Sequence, residues 1–264
     1  MSNYRRRLMN STFAKPIKKT QALIEFCSTI NSSNRIKTGH NTIYCISPYK
    51  TGTTFLAAAY PNEVSQHEPM QYLSLKKFEN NFSDFFLKRL NALNLKLECS
   101  GFFSAYIDEL ANHKVAKNLD YIIVVRKPSK WINSVVNYWS KLDYLNNDYI
   151  NERFWKKKVG VDLLNFKFKS ESEQEDIVNK LAAFYFDFTE KSRQLKNITY
   201  VKIHEIEDYV KVLDSKIDEK AKIRHDKKRV NNLKYYDYKN EKLDLQYDSL
   251  IESLNSENNK NQIN

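Results

Sequence analysis

The stretch IYCISPYKTGTTFLAAAY, Ile43 to Tyr60, places a lysine, a glycine and three threonines where an apolar strand gives way to a helix. A short loop in that position presents backbone N–H groups, and the start of a helix adds positive potential. Lys50, Thr51, Gly52, Thr53 and Thr54 are therefore read as an anion-binding loop. The nucleoside triphosphate loop GxxxxGK[ST] has its lysine directly after the glycine. Here Lys50 precedes Gly52, Thr53 follows it, and no earlier glycine stands at the required spacing.

The segment SPYKTGTTFL resembles the phosphosulfate loop of sulfotransferases that use 3′-phosphoadenosine 5′-phosphosulfate (PAPS), with the match running from Pro48 to Thr54. The resemblance implies a second motif, an Arg at a strand end and a Ser eight residues later on the next helix, which bind the 3′-phosphate. The strand YIIVV ends in RKPSKWINS, and Arg126 and Ser134 have that spacing. An Arg at a strand tip can make a bidentate contact with phosphate oxygens. A Ser two turns into the helix brings its hydroxyl back toward the same point. The resemblance covers about residues 42–209. It implies PAPS as co-substrate, no metal, and Lys50 as the cation that stabilises the leaving 5′-phosphate oxygen.

A base must take the acceptor's proton. In SQHEPMQYL the resemblance favours Glu68, which fits a Glu-Pro pattern of carbohydrate sulfotransferases; His67 and Glu98, at the end of NLKLEC, are the other candidates. Pro69 is expected to hold Glu68 in an extended conformation, projecting into the cleft. LECSGF has no His at the strand-end position of the cytosolic small-molecule enzymes. His204, in TYVKIHEIEDY, lies where the family stacks a side chain on adenine, and His113 is read as exposed. The acceptor implied bears a hydroxyl or an amine and is a carbohydrate or glycoconjugate. The aromatic and basic run YLNNDYINERFWKKKVGVD would suit such a partner, and no nucleic acid is expected.

These residues need a scaffold of alternating elements. NTIYCI, NLKLEC, LDYIIVV and NITYVKI read as strands, and LDYIIVV has the continuous apolar character of a strand covered on both faces. Between them fall helical patterns: one after Gly52; one opened by Pro128 with Trp131, Val135, Tyr138, Trp139 and Leu142 on one face; and IVNKLAAFYFDFTEKSRQL. The fold class expected is α/β, a P-loop-NTPase-like parallel sheet flanked by helices on both faces. Residues 1–18 are read as a basic flexible arm, 19–251 as a single domain that begins with the helix TQALIEFCSTI, and 252–264 as a polar disordered tail.

The 264 residues are 41% hydrophobic and 13% aromatic, which excludes a disordered chain. Net charge is +11, a field that attracts polyanions or forms a solvated basic surface. Cys27, Cys45 and Cys99 have neither disulfide-framework nor zinc spacing and read as buried small hydrophobes. No signal peptide or membrane anchor is read after MSNYRRRLMN, so the expected location is cytoplasmic, with Arg5, Arg6 and Arg7 available for peripheral membrane contact. Two rival readings remain. One is a nucleotide or small-molecule kinase with a degenerate loop, which would need a metal-binding carboxylate where YIIVV ends in Arg. The other is a basic nucleic-acid-binding protein. The late cluster RHDKKRVNNLK offers further cations for a 3′-phosphate.

Overall fold

A computed structural model describes residues 41–140, 149–223 and 235–261. The arm, the expected first helix, Cys27, Leu142 and the whole RHDKKRVNNLK cluster lie outside these residues. The core is a five-stranded parallel sheet in the order β2-β3-β1-β4-β5. Its strands are β1 Ile43–Cys45, β2 Ser65–His67, β3 Leu97–Cys99, β4 Asp120–Val125 and β5 Asn197–Lys202.

Alternation along the strands sends side chains into two apolar cores. Ile43, Cys45, Ile122, Val124 and Val201 face helices α1 (Thr53–Ala58) and, further along the chain, Ile206–Ile217. Tyr44, Tyr121, Ile123, Val125 and Ile198 face the other helices. Those helices are α2 Gln71–Phe78, α3 Phe82–Leu93, α4 Ile107–Asn112, α5 Pro128–Trp139 and α6 Glu171–Lys191. Helix Ile206–Ile217 is α7, and Glu241–Asn261 is α8. The expected fold class is the one found: an α/β parallel sheet covered by helices on both faces. No described helix is long and apolar enough to cross a membrane.

Local chemistry sets several boundaries. Pro128 sits in the first turn of α5, where a missing N–H is no loss. Ser170 and Glu173 form a capping box that starts α6 six residues before the expected apolar run. A left-handed Asn94 ends α3.

The polar SQH segment, absent from the strands read in the sequence, is an edge strand, β2, held by parallel pairing to β3. Two expectations are corrected. The expected polar tail is helical as far as Asn261, because Tyr247, Ile251 and Leu254 are buried along one stripe of α8. His113 is buried, not exposed; its Nδ1 accepts from the amides of Val115 and Ala116, and burial lowers its pKa.

One buried ion pair ties the α2–α3 hairpin to the sheet. Arg89 on α3 forms a two-pronged contact with Glu98 on β3, both almost wholly buried. Its remaining donors reach the Ser74 hydroxyl (2.9 Å) and the Pro69 carbonyl (2.7 Å). Replacing Arg89 with Met should strand the Glu98 carboxylate and cost about 3–5 kcal/mol in urea unfolding. Breaking the exposed Lys180–Asp176 pair should change stability by under about 0.5 kcal/mol. Comparable costs for the two changes would contradict the role given to the buried pair.

Candidate active site

Chain order reverses between β1 and its neighbours β3 and β4. From β1 the chain crosses to β2, and from β3 it crosses back over β1 to β4. Beside such a reversal the strand ends leave a crevice for ligands. The predicted residues gather at these ends: loop 47–54 after β1, His67 as the last residue of β2 with Glu68 directly after it, and Arg126 after β4; Gly101, which was not predicted, follows β3.

The loop is fastened from several sides. The Val124 amide donates to the Ser47 hydroxyl, and the Ser100 amide donates to the Cys45 carbonyl. The indole of Trp131 donates to the Tyr49 carbonyl at 2.8 Å, and Thr51 Oγ1 donates to the Pro48 carbonyl at 2.8 Å. Arg126 Nη1 donates to the Lys50 carbonyl at 2.8 Å, so the two sequence motifs are directly joined.

Lys50 and Gly52 both take positive φ, 72° and 107°. This bend turns the following amides away from regular pairing: among the described residues the N–H groups of Gly52, Thr53 and Thr54 have no hydrogen-bond partner. Unpaired amides in such a loop form an anion-binding concavity. The Lys50 ammonium lies 3.9 Å from the ring centre of Tyr138 on α5.

His67 faces the same loop. Its Nε2 is 3.2 Å from Thr53 Oγ1, 3.1 Å from Thr54 Oγ1 and 3.9 Å from Glu68 Oε1. Glu68 is largely buried. Its Oε1 accepts from the Gly101 amide at 2.8 Å, while its Oε2 is buried without a partner. Burial pushes the carboxyl up to about 8; the Gly101 amide and Arg89 act against this rise, and the neighbouring charge of Glu98 adds to it.

The expected extended backbone at Glu68 is not found. Glu68 has φ 53° and Met70 φ 52°, both left-handed, on either side of Pro69. A residue before proline disfavours helical conformations, so this turn is strained. Contacts hold it in place: the Glu68 amide donates to the Cys99 carbonyl at 2.9 Å, and Arg89 holds the Pro69 carbonyl. Glu98, the third base candidate, is committed to Arg89 and to the Ser100 hydroxyl.

Arg126 is partly buried, and burial lowers its pKa; an arginine remains a cation even so. Its backbone is clasped by the Tyr185 hydroxyl, which accepts from the Arg126 amide and donates to the Arg126 carbonyl. Ser134 lies half-buried on α5. The start of α5 is fixed by Asp244 of α8, which accepts from the Ser129 amide (2.9 Å) and hydroxyl (2.6 Å). His204 sits on the exposed turn after β5, 3.5 Å from Glu205. Its neighbour Ile203 passes 3.6 Å from where Gly52 would carry a Cβ.

Sequence reasoning missed Gly101. A Cβ there would stand 2.8 Å from the Tyr49 nitrogen and 3.2 Å from Glu68 Oε1. Its only signal was an SGF break after a strand. Also missed were Asp244 and the Asn133–Asn137 pair of α5, whose side chains hold the backbone of Tyr235, Tyr236 and Tyr238.

No family model matches the sequence, and no curated protein matches it. A crystal structure of a sulfotransferase from Alicyclobacillus acidocaldarius aligns with 84% of this chain and 97% of its own, at 12% identity and a TM-score of 0.45. So distant a likeness carries no argument, and function has to be read from the site itself.

Two outcomes follow from this geometry. Gly101→Ala should displace Tyr49 or Glu68 and cost about 1–3 kcal/mol, read by urea unfolding. Glu68 holds its proton to about 8 when folded, against an ordinary value of 4.5. Between those values the folded chain binds the extra proton, so this residue's contribution to stability is fullest below pH 4.5 and falls as pH rises toward 8. Glu68→Gln should flatten that part of the stability–pH curve; an unchanged curve would show that Glu68 titrates normally.

Proposed function

We propose that the protein is a PAPS-dependent sulfotransferase that moves a sulfuryl group to a hydroxyl acceptor, a glycan or glycoconjugate. The observation that carries the reading is the direct bond from Arg126 to the Lys50 loop, which brings a strand-tip arginine and an unpaired amide loop to one cleft. These parts fit a nucleotide carrying phosphates at both ends of its ribose. The amides of Gly52 to Thr54 and the hydroxyls of Thr53 and Thr54 would hold the 5′-phosphosulfate. Arg126 and Ser134 would hold the 3′-phosphate, and His204 would lie beside the adenine.

PAPS supplies an activated sulfuryl group whose transfer leaves negative charge on the 5′-phosphate. Lys50 supplies a cation for that charge as it develops. Glu68 takes the acceptor's proton, with its carboxylate held in place by the Gly101 amide on Oε1. His67 touches both threonine hydroxyls, which suits it to steady the transferred group or to share the base's role. A carboxyl that titrates near 8 makes turnover rise with pH toward a plateau above that value.

Transfer from sulfur-35-labelled PAPS tests the reading. Lys50→Ala should lower kcat by about 10²–10³-fold with the fold intact. Glu68→Gln should remove the rising limb of the pH–rate profile. Near-normal turnover in Lys50→Ala, or an unaltered profile in Glu68→Gln, would overturn the role of the residue concerned.

A further inference from the structure

Helix α5 begins without a cap of its own. Lys127 stands at its N-cap position and makes no side-chain bond to the helix, and Pro128 has no N–H to offer. The cap comes from far along the chain. Asp244, in the first turn of α8, accepts from the Ser129 amide on Oδ1 (2.9 Å) and from the Ser129 hydroxyl on Oδ2 (2.6 Å). A carboxylate suits the start of a helix, where unpaired amides gather and the dipole is positive.

The same face of α8 reaches the other side of the strand–helix junction. Tyr247, three residues on from Asp244 and fully buried, stacks on Tyr185 with ring centres 4.9 Å apart. The Tyr185 hydroxyl is the one that clasps the Arg126 backbone, 3.2 Å from its amide and 2.9 Å from its carbonyl. Asp248, four residues on from Asp244, lies 3.6 Å from Lys127, but water reaches both side chains and screens the pair. Helix α8 therefore acts on the strand end at Arg126 through Tyr185, and on the helix start at Ser129 through Asp244.

Arg126 leaves the strand and Ser134 rides on the helix, so the turn of residues 127–129 sets where one stands relative to the other. Within that turn the helix supplies the bond from the Trp131 amide to the Lys127 carbonyl. The two bonds to Asp244 tie the turn to a second element. Taking the transferase reading as given, we propose that Asp244 is a positioning residue for the 3′-phosphate: it fixes the start of α5 so that Arg126 and Ser134 converge on one group. The loop at the 5′ end has fastenings of its own, from Val124 to Ser47, from Ser100 to Cys45 and from Thr51 to Pro48. Loss of Asp244 is therefore felt at the 3′-phosphate and not at the 5′-phosphate.

Equilibrium dialysis of labelled adenosine 3′,5′-bisphosphate and adenosine 5′-phosphate against the full chain tests this. The readout is the affinity for the first divided by that for the second, which isolates the 3′-phosphate. Asp244→Ala should lower this ratio about fivefold, the scale of one lost hydrogen bond, with the 5′-phosphate affinity unmoved. Asp244→Asn should keep the wild-type ratio, because its carbonyl still accepts from the Ser129 amide and its NH₂ group donates to the Ser129 hydroxyl. Asp248→Ala, which removes only the exposed contact with Lys127, should leave both affinities in place. If Asp244→Ala fails to fold by circular dichroism, Ser129→Ala replaces it; one of the two bonds is then lost, and the ratio must still fall about twofold. An unchanged or raised ratio, a parallel loss of both affinities, or an Asn variant as impaired as the Ala variant would overturn the inference and leave the nucleotide site standing. Equal wild-type affinities for the two nucleotides would sink the transferase reading and this inference with it.

Discussion

The Arg89–Glu98 pair is the constraint on which the rest of the cleft depends. Two opposite charges buried together persist only with close geometry and further hydrogen bonds, and here four N–H groups of the Arg89 guanidinium go to Glu98, Ser74 and Pro69. Those contacts fix three things at once. Glu98 locates β3 and the turn that carries Gly101. Ser74 locates α2. The Pro69 carbonyl locates the turn from which Glu68 projects. A hydrophobic replacement could fill the volume but could not aim a hydrogen bond at that carbonyl.

Strain in the backbone is concentrated where this constraint acts. Lys50, Glu68 and Met70 are three of the six non-glycine residues with positive φ among the described ones, and all three border the cleft. Each such residue costs of order 1–3 kcal/mol and survives only where its neighbours leave no alternative. For Lys50 the neighbours are Arg126 and Trp131; for Glu68 they are Cys99, Gly101 and Arg89. The strain turns the loop amides outward and leaves one buried oxygen of Glu68 without a partner. Electrostatics follow from the same geometry, because a carboxyl with one amide donor and little access to water holds its proton to about 8.

The parts legible in the sequence were those with a strong local pattern. Continuous apolar runs marked β4 and its neighbours, Pro128 marked the start of α5, and the Lys50–Gly52 loop and Arg126 declared themselves by type and position. What stayed hidden depended on contacts between distant residues. β2 is three residues long, largely polar and at the sheet edge, so it carries no period to read. Nothing in the spacing shows that Arg89 turns inward while its neighbour Lys88 stays in water. Helix α8 did carry a signal, since Leu243, Tyr247, Ile251 and Leu254 recur at helical spacing, but the surrounding charge masked it. The conformation of Glu68 was read the wrong way because proline's local preference gave way to tertiary contacts.

The account rests on a site for a nucleotide phosphorylated at the 3′ position, and calorimetric titration without magnesium tests that most directly. It predicts that adenosine 3′,5′-bisphosphate binds at least about 100-fold more tightly than adenosine 5′-phosphate, the 3′-phosphate contributing charge-assisted bonds to Arg126. Most of that difference should vanish in Arg126→Ala. Equal affinities for the two nucleotides in the wild-type protein would contradict the account.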